Sequence, residues 1–395
     1  MKLAAAGSVL ACLSGMGCGR IGVELLSDGA DAATANGSDL DARTDTAVDE
    51  VTGRDDAATG DATTASVVLG TRLLIDNTTS PARTNYPVRF SLDTAALIAQ
   101  GRLAPDCSTL RVYGGQDCAS PRAFFVSASE CNSATTDVWV RVPSLPDHGR
   151  EVLRVAFDGG VDAGSNGAAV FDFFDAFDGT KLDRTRWRMI GAGSVSVSDG
   201  LLRGTGAVLL QSESAAVHAG TSALGVRIAA SGQSGTDVEL GAGTFFSSTS
   251  PTDLWAYSRK WEGVSFVSYS KTTPVLRPPR GTGCLGTDEP GDGIGPPWVD
   301  LYPMPASFLT AEFRYAVTDD RAEAWLASPR SGALSLQSDI GCTVPDQLPI
   351  LLGLDHSPYG ARVEQRIDYV YVRPASAPEP TTMVVFDSPL GCGSP

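Results

Sequence analysis

The chain is poor in the residues that metal and nucleic-acid chemistry require. Its three His, at His148, His218 and His356, are widely spread, and no C-x-x-C occurs among 395 residues. A zinc site needs several such ligands close together, so no zinc is expected. Lys and Arg number 30 against 46 Asp and Glu. An acidic body without a basic patch argues against nucleic acid, because phosphate contacts need clustered cations. No G-x-S-x-G elbow is present, and a serine nucleophile lacks a nearby base. Long apolar runs are missing too: the stretch from Leu3 to Leu13 falls short of the about 20 residues that span a bilayer.

That short run has a different meaning. MKLAAAGSVLACLSGMGC, residues 1–18, carries one charge, Lys2, and small residues before Cys18, which is the layout of a secretory signal. It resembles a bacterial lipoprotein signal, with Gly17 before a lipidated Cys18 and Gly15 where such signals usually carry Leu. The resemblance implies an exported protein held in the cell envelope, at the outer membrane and facing periplasm or surface, through acyl chains alone. Residues 19–66 follow as an acidic linker. From Ile21 to Ser66 there are eleven Asp/Glu, two Arg and no aromatic residue. Such a segment buries too little apolar surface to offset its chain entropy, so it is expected to be a disordered tether.

Eight Cys fit the exported address. With Cys12 lost and Cys18 acylated, Cys107, Cys118, Cys131, Cys284, Cys342 and Cys392 remain. Fifteen pairings are open to six Cys. Cys107 with Cys131 is the first choice within the local trio, and Cys284 with Cys342 in the later region; Cys118 and Cys392 stay unassigned.

The body is patterned for strands. In TTDVWVRVP, Val138, Val140 and Val142 alternate with Asp137, Trp139 and Arg141, the period of two that a half-buried strand requires. TRLLIDN, YPVRFSL, STLRVYG, RAFFVS and REVLRVAF behave alike, with a short helix at DTAALIAQG capped by Asp93 or Thr94 and stopped by Gly101. Many strands at this spacing predict an antiparallel sandwich. Further on, SVSVS and LLRG flank an Asp199-Gly200 hairpin turn. QRIDYVYVRP is expected to set Ile367, Tyr369 and Tyr371 on one face and Asp368, Val370 and Val372 on the other.

Three blocks, LLIDNTTSPARTNYPVRFSLDTAALIAQGRLAPDCSTLRVYG, CNSATTDVWVRVPSL and VFDFFDAFDG, resemble the bacterial domain of unknown function DUF2341, a β-rich module of exported proteins. Where that family ends in a YYGN segment, this chain has VAFDGGVDAGSN. Residues 171–374, through FFDAFDGTKLDRTRW, VSVSDGLLR and IDYVYVRP, resemble a concanavalin A-like lectin/glucanase, or LamG-like, jelly roll. The expected fold is thus all-β: a first sandwich over 67–170, a jelly roll over 171–374, and a C-terminal tail over 375–395.

Candidate chemistry is sparse. FDFFDAFDGTKLDRTRW, residues 171–187, sets Asp172, Asp175, Asp178 and Asp183 among aromatics. Hard cations want several oxygen ligands, so calcium is the cofactor this stretch invites, although a spacing of three is not a known loop. GTGCLG, residues 281–286, matches G-x-G-x-x-G but lacks the strand before and helix after that a phosphate cradle needs. The jelly-roll resemblance implies either a lectin or a glucanase. For a glucanase, Asp237 and Glu239 are the acids two apart on one strand, without a third acid following on that face. For a lectin, TDLWAYSRKWEG offers Trp255, Tyr257 and Trp261 with Arg259 and Glu262, and GIGPPWVDLYP offers Trp298, Asp300 and Tyr302 in a loop-like setting. Each aromatic has the alternative of packing on a core.

The reading adopted is a non-catalytic exported lipoprotein that binds a polysaccharide or cell-surface glycan, with no catalytic residue assigned. A glycoside hydrolase using Asp237 and Glu239, and a structural envelope protein that binds other proteins, are the alternatives.

Overall fold

The computed structural model describes residues 70–115, 120–157, 164–206, 208–218, 220–232, 238–245, 261–268, 274–277, 299–300, 308–316, 321–328, 332–339, 347–355, 363–376 and 378–386. All belong to one compact unit, Thr63–Pro395. The amino-terminal strands are β1 (Gly70–Asp76), β2 (Arg83–Leu92), β3 (Arg111–Gly114), β4 (Ser120–Pro121), β5 (Phe124–Phe125), β6 (Thr136–Leu145) and β7 (Arg150–Ala156). After them come β8 (Phe173–Asp175), β9 (Trp187–Gly191), β10 (Ser194–Ser198), β11 (Leu201–Thr205), β12 (Val208–Ser212), β13 (Val217–His218) and β14 (Ser222–Gly232). Next are β15 (Val238–Phe245), β16 (Trp261–Ser268), β17 (Pro274–Arg277), β18 (Val299–Asp300), β19 (Leu309–Ala316) and β20 (Arg321–Ser328). The remaining strands are β21 (Gly332–Asp339), β22 (Gln347–Leu348), β23 (Ile350–Asp355), β24 (Val363–Pro374) and β25 (Thr381–Val385).

Among the described residues these strands make an all-β, antiparallel architecture with two sandwich pairs. Sheet A has the order β25-β1-β7-β3-β4 and sheet B the order β2-β6-β5. Sheet C runs β10-β11-β24-β14-β19-β20-β21 with β8 also on β24, and sheet D runs β18-β17-β16-β15-β23-β12-β9. Helices are minor: Thr94–Ala99, whose Asp93 cap accepts from the Ala96 amide, and Gly167–Val170, capped by Asn166.

The first core lies between sheets A and B. Leu73, Ile75, Val88, Phe90, Leu92, Val138, Val140, Val142, Leu153 and Val155 are all buried there. Each such side chain contributes about 1.5–3 kcal/mol by leaving water. Cys107 and Cys131 are joined by a disulfide across 24 residues at its edge. In the second sandwich Trp187, Leu202, Val208, Leu210, Val226, Leu352, Val370 and Val372 are buried. The β10–β11 hairpin turns on Asp199 and Gly200, both at positive φ, which a two-residue turn of this hand demands.

Two expectations are revised. Residues 375–395 are not simply a tail, because Thr381–Val385 pairs with β1 in the register Leu74 to Met383 and becomes the edge of sheet A. The alternation expected along QRIDYVYVRP is broken at Asp368: Ile228 opposes Ile367 while Arg227 opposes Tyr369, so Asp368 is an extra residue in the ladder. A bulge of this kind turns the strand locally. It brings Asp368 to the same side as Tyr369, where Arg227 Nε donates to Asp368 Oδ2 over 2.9 Å.

Candidate functional site

The second sandwich has two broad outer faces, and one of them is occupied by the first sandwich. A second core cluster of Phe125, Trp139, Val170, Phe171, Tyr369 and Tyr371 fills this seam. Phe171 stacks on Tyr371 at 4.4 Å between centroids, and Phe125 meets Tyr369 edge-on at 5.1 Å. The Arg373 guanidinium lies 5.2 Å from the Trp139 ring centroid. Ion pairs flank the aromatics. Arg373 Nη2 donates to Glu312 Oε1 over 2.6 Å and its Nη1 to Glu379 Oε1 over 3.1 Å. Arg227 Nη1 donates to Glu130 Oε1 over 2.6 Å, and Tyr369 Oη to Glu130 Oε2 over 3.0 Å. Burial holds Tyr86, which donates to Glu379, up to about 12. It pushes Glu130 up to about 7 against the pull of Arg227.

The Phe-rich stretch 171–187 builds packing. Phe171 and Phe174 enter the seam, while Phe173 and Phe177 pack against Trp187. Asp172 accepts from Arg141, Asp175 accepts from Trp187 Nε1 over 2.8 Å, and Asp183 caps the turn at Thr185, whose amide and hydroxyl hold its carboxyl below the usual range. Among the described residues no group of three His, Cys, Asp or Glu is placed to hold a metal ion.

The other broad face belongs to sheet D. Directly opposed residues of antiparallel strands share a face, so its composition follows from the register. On the inner side lie Leu210, Leu352, Ala242 and Val264, opposed in succession. On the outer side one row runs Arg188, Gln211, Leu351, Gly243, Gly263. Arg188 is exposed and donates to Gln211 over 2.7 Å, which fixes this side as the outward one at the β9 edge. Toward the middle, Leu209 and Leu351 are closed off from solvent.

This outward side gathers residues from both functional readings. Glu239 opposes Val267, Val267 opposes Val275, and Val275 opposes Asp300. Glu239 and Asp300 thus share a row, three strand spacings or about 14 Å apart. Trp261 opposes Phe245, six residues along β15 from Glu239 and of the same parity, so on the same side at a distance of about 20 Å. Between them the positions on this side are Gly241 and Gly243 of β15, Gly263 and Ser265 of β16, and Leu351 and Gly353 of β23, with Gly241 opposite both Ser265 and Gly353. Glycines inside strands mark where another molecule or backbone can approach closely.

Asp300 was expected in a loop-like setting; the structure places it in β18, and Trp261 opens β16. Asp237, Trp255, Tyr257, Trp298, Tyr302, Cys18, Cys284 and Cys342 lie outside the described residues.

The family model for DUF2341, a domain of unknown function, matches residues 106–190. It begins later than the three blocks suggest and runs through the Phe-rich stretch into β9, so it includes most of the seam-forming segment. No curated protein matches the chain. Among solved structures, it is similar to the carbohydrate recognition domain of Emp47p, at 12% identity and a TM-score of 0.36, covering 54% of this chain and 100% of that one. It is also similar to SCLam, a non-specific endo-β-1,3(4)-glucanase of family GH16, at 14% identity and a TM-score of 0.34, covering 51% and 89%. Lectin II from Ulex europaeus is similar at 10% identity and a TM-score of 0.35, covering 52% and 98%.

Proposed function

We propose that this chain recognises an extended polysaccharide across the outward side of sheet D, and that it does so as an exported protein anchored through Cys18. The observation that supports this is the register that collects Glu239, Trp261 and Asp300 on one side of the β15–β18 part of the sheet, beside Gly241, Gly243 and Gly263, while the opposite broad face is taken by the first sandwich. A footprint on the order of 14 by 20 Å suits several sugar units better than one small molecule. Trp261 would offer a ring face for stacking, and Asp300 an acceptor for sugar hydroxyls.

The test is retention on a panel of immobilised polysaccharides in affinity electrophoresis. At least one polysaccharide retards the wild type, and Trp261→Ala together with Asp300→Ala abolishes the retardation. Normal mobility of the wild type on every polysaccharide would defeat the reading. Anchoring has its own check, metabolic labelling with a fatty acid, which disappears in Cys18→Ser.

A second reading, glycan hydrolysis, is favoured by one further observation. Glu239 stands on β15, and Asp237 precedes it by two in the sequence, the spacing that puts side chains of a strand on one side. Retaining hydrolases need their two carboxyls about 5–5.5 Å apart. In this reading one acid attacks the anomeric carbon and the other protonates the leaving oxygen. Release of reducing sugar from the retained polysaccharide, lost in Glu239→Gln with binding intact, would establish it in place of simple binding.

A further inference from the structure

Sheet A turns one side to the first core, and the register reads out its other side row by row. Asp76 of β1 opposes Thr381 and Arg150, Leu74 opposes Met383 and Val152, and Arg72 opposes Val385 and Arg154, with Tyr113 opposite Arg154 in turn. Directly opposed residues share a face. The intervening Leu73, Ile75, Leu153, Val155 and Val384 pack on the core, so these three rows point away from it. The middle row is apolar. Met383 is 57% exposed and Val152 41%, and with Phe386, which follows β25 directly, they are the large hydrophobics exposed among the described residues. The flanking rows carry Arg72, Arg150 and Arg154 against the single acid Asp76, to which Arg150 Nε donates over 3.0 Å.

We propose that this side of sheet A is a membrane-docking surface, which lays its apolar row against the headgroup boundary of an anionic bilayer and its arginines on the lipid phosphates. The chain carries a formal net charge of −16, so an anionic surface repels most of it and is met only where cations gather. Exposed apolar side chains between cations suit an interface: the apolar atoms leave water, and each arginine lays its stem along them while its guanidinium stays with the phosphates. A second copy fits poorly, since two such faces bring arginine to arginine. A soluble polyanion would satisfy the arginines and leave Met383 and Val152 in water.

The fold gives this contact an orientation. Sheet B lies behind sheet A across the first core, and its Phe125 and Trp139 meet Tyr369 and Tyr371 of sheet C in the seam. A bilayer on sheet A is therefore at the far end of the stack from the outward side of sheet D. The docking surface does not rest on the glycan reading of that side.

Peroxide oxidation of methionine to the sulfoxide, followed by peptide mass spectrometry on the full chain, reads this face at a single residue. The rate at Met383 is taken relative to Met189, which stands on β9 in the second sandwich. Phosphatidylglycerol vesicles slow Met383 severalfold relative to Met189, while phosphatidylcholine vesicles leave the ratio at its lipid-free value. Arg150→Glu together with Arg154→Glu removes the protection at an unchanged thermal midpoint. Should that variant fail to fold, the comparison of the two lipids in the wild type decides alone. A ratio that phosphatidylglycerol leaves unaltered overturns the proposal, as does equal protection by both lipids or protection that survives the two substitutions. Protection that grows with protein concentration without lipid would assign the face to a second copy, and protection by polygalacturonate but not by vesicles to an acidic polysaccharide; either result overturns membrane docking.

Discussion

Trp139 of sheet B and Tyr371 of sheet C face each other across the seam with ring centroids 5.3 Å apart and planes inclined by 59°. They sit on strands 232 positions apart in the chain, yet each is the other's neighbour in a cluster with almost no solvent exposure. The two sandwiches are thus joined by a core, not by a linker.

Removing Trp139 should therefore unfold more than one sandwich. Trp139→Ala deletes a buried indole and its contact with the Arg373 guanidinium. A loss of about 3–5 kcal/mol is expected. Urea unfolding should change from one transition to two, as the halves lose their coupling.

The Arg373–Glu312 pair tests how the seam handles charge. Arg373→Met leaves the Glu312 carboxylate facing Tyr371 Oη without its guanidinium, at a cost of about 3–5 kcal/mol. The double variant Arg373→Met with Glu312→Leu should recover most of it. A double-mutant cycle by denaturant unfolding measures the coupling.

Gly225 is required because Tyr371 lies over it. A Cβ at this position would fall inside the Tyr371 ring. Gly225→Ala must displace that ring from the seam, with a loss of about 1–3 kcal/mol. Near-ultraviolet circular dichroism should weaken along with the thermal midpoint.

The Cys107–Cys131 bridge closes a loop of 24 residues. Loss of a bridge of this size costs about 2–4 kcal/mol. Cys107→Ser with Cys131→Ser should lower the unfolding free energy by that amount, measured by denaturant unfolding.

What the sequence disclosed was the period of its strands. Val138, Val140 and Val142 are legible because alternate apolar residues need a core, and they have one. The other side of the same strand was legible only in part: Trp139, in so strongly patterned a segment, reads as core and is buried, but Asp137 and Arg141 look like a solvent face until the second sandwich covers them. Their partners, Tyr371 for Trp139 and Asp172 for Arg141, come from elsewhere in the chain, and no local pattern announces a distant partner. Asp368 escaped for a related reason, since a bulge belongs to the pairing of two strands and not to either one. At the candidate site, residue types led to Glu239, Trp261 and Asp300 separately, as rival readings. Only the register of four strands, β15 to β18, put them on one side of one sheet.

Thr71 donates its hydroxyl to the carbonyl of Val385, 314 residues away. That bond records a mismatch between the order of synthesis and the order of completion. The amino-terminal sandwich leaves the ribosome first, but the edge of β1 that β25 occupies stays open until nearly everything else has been made. A nascent chain therefore carries an unpaired, apolar strand edge through most of its production, the kind of surface that recruits chaperones or finds a wrong neighbour.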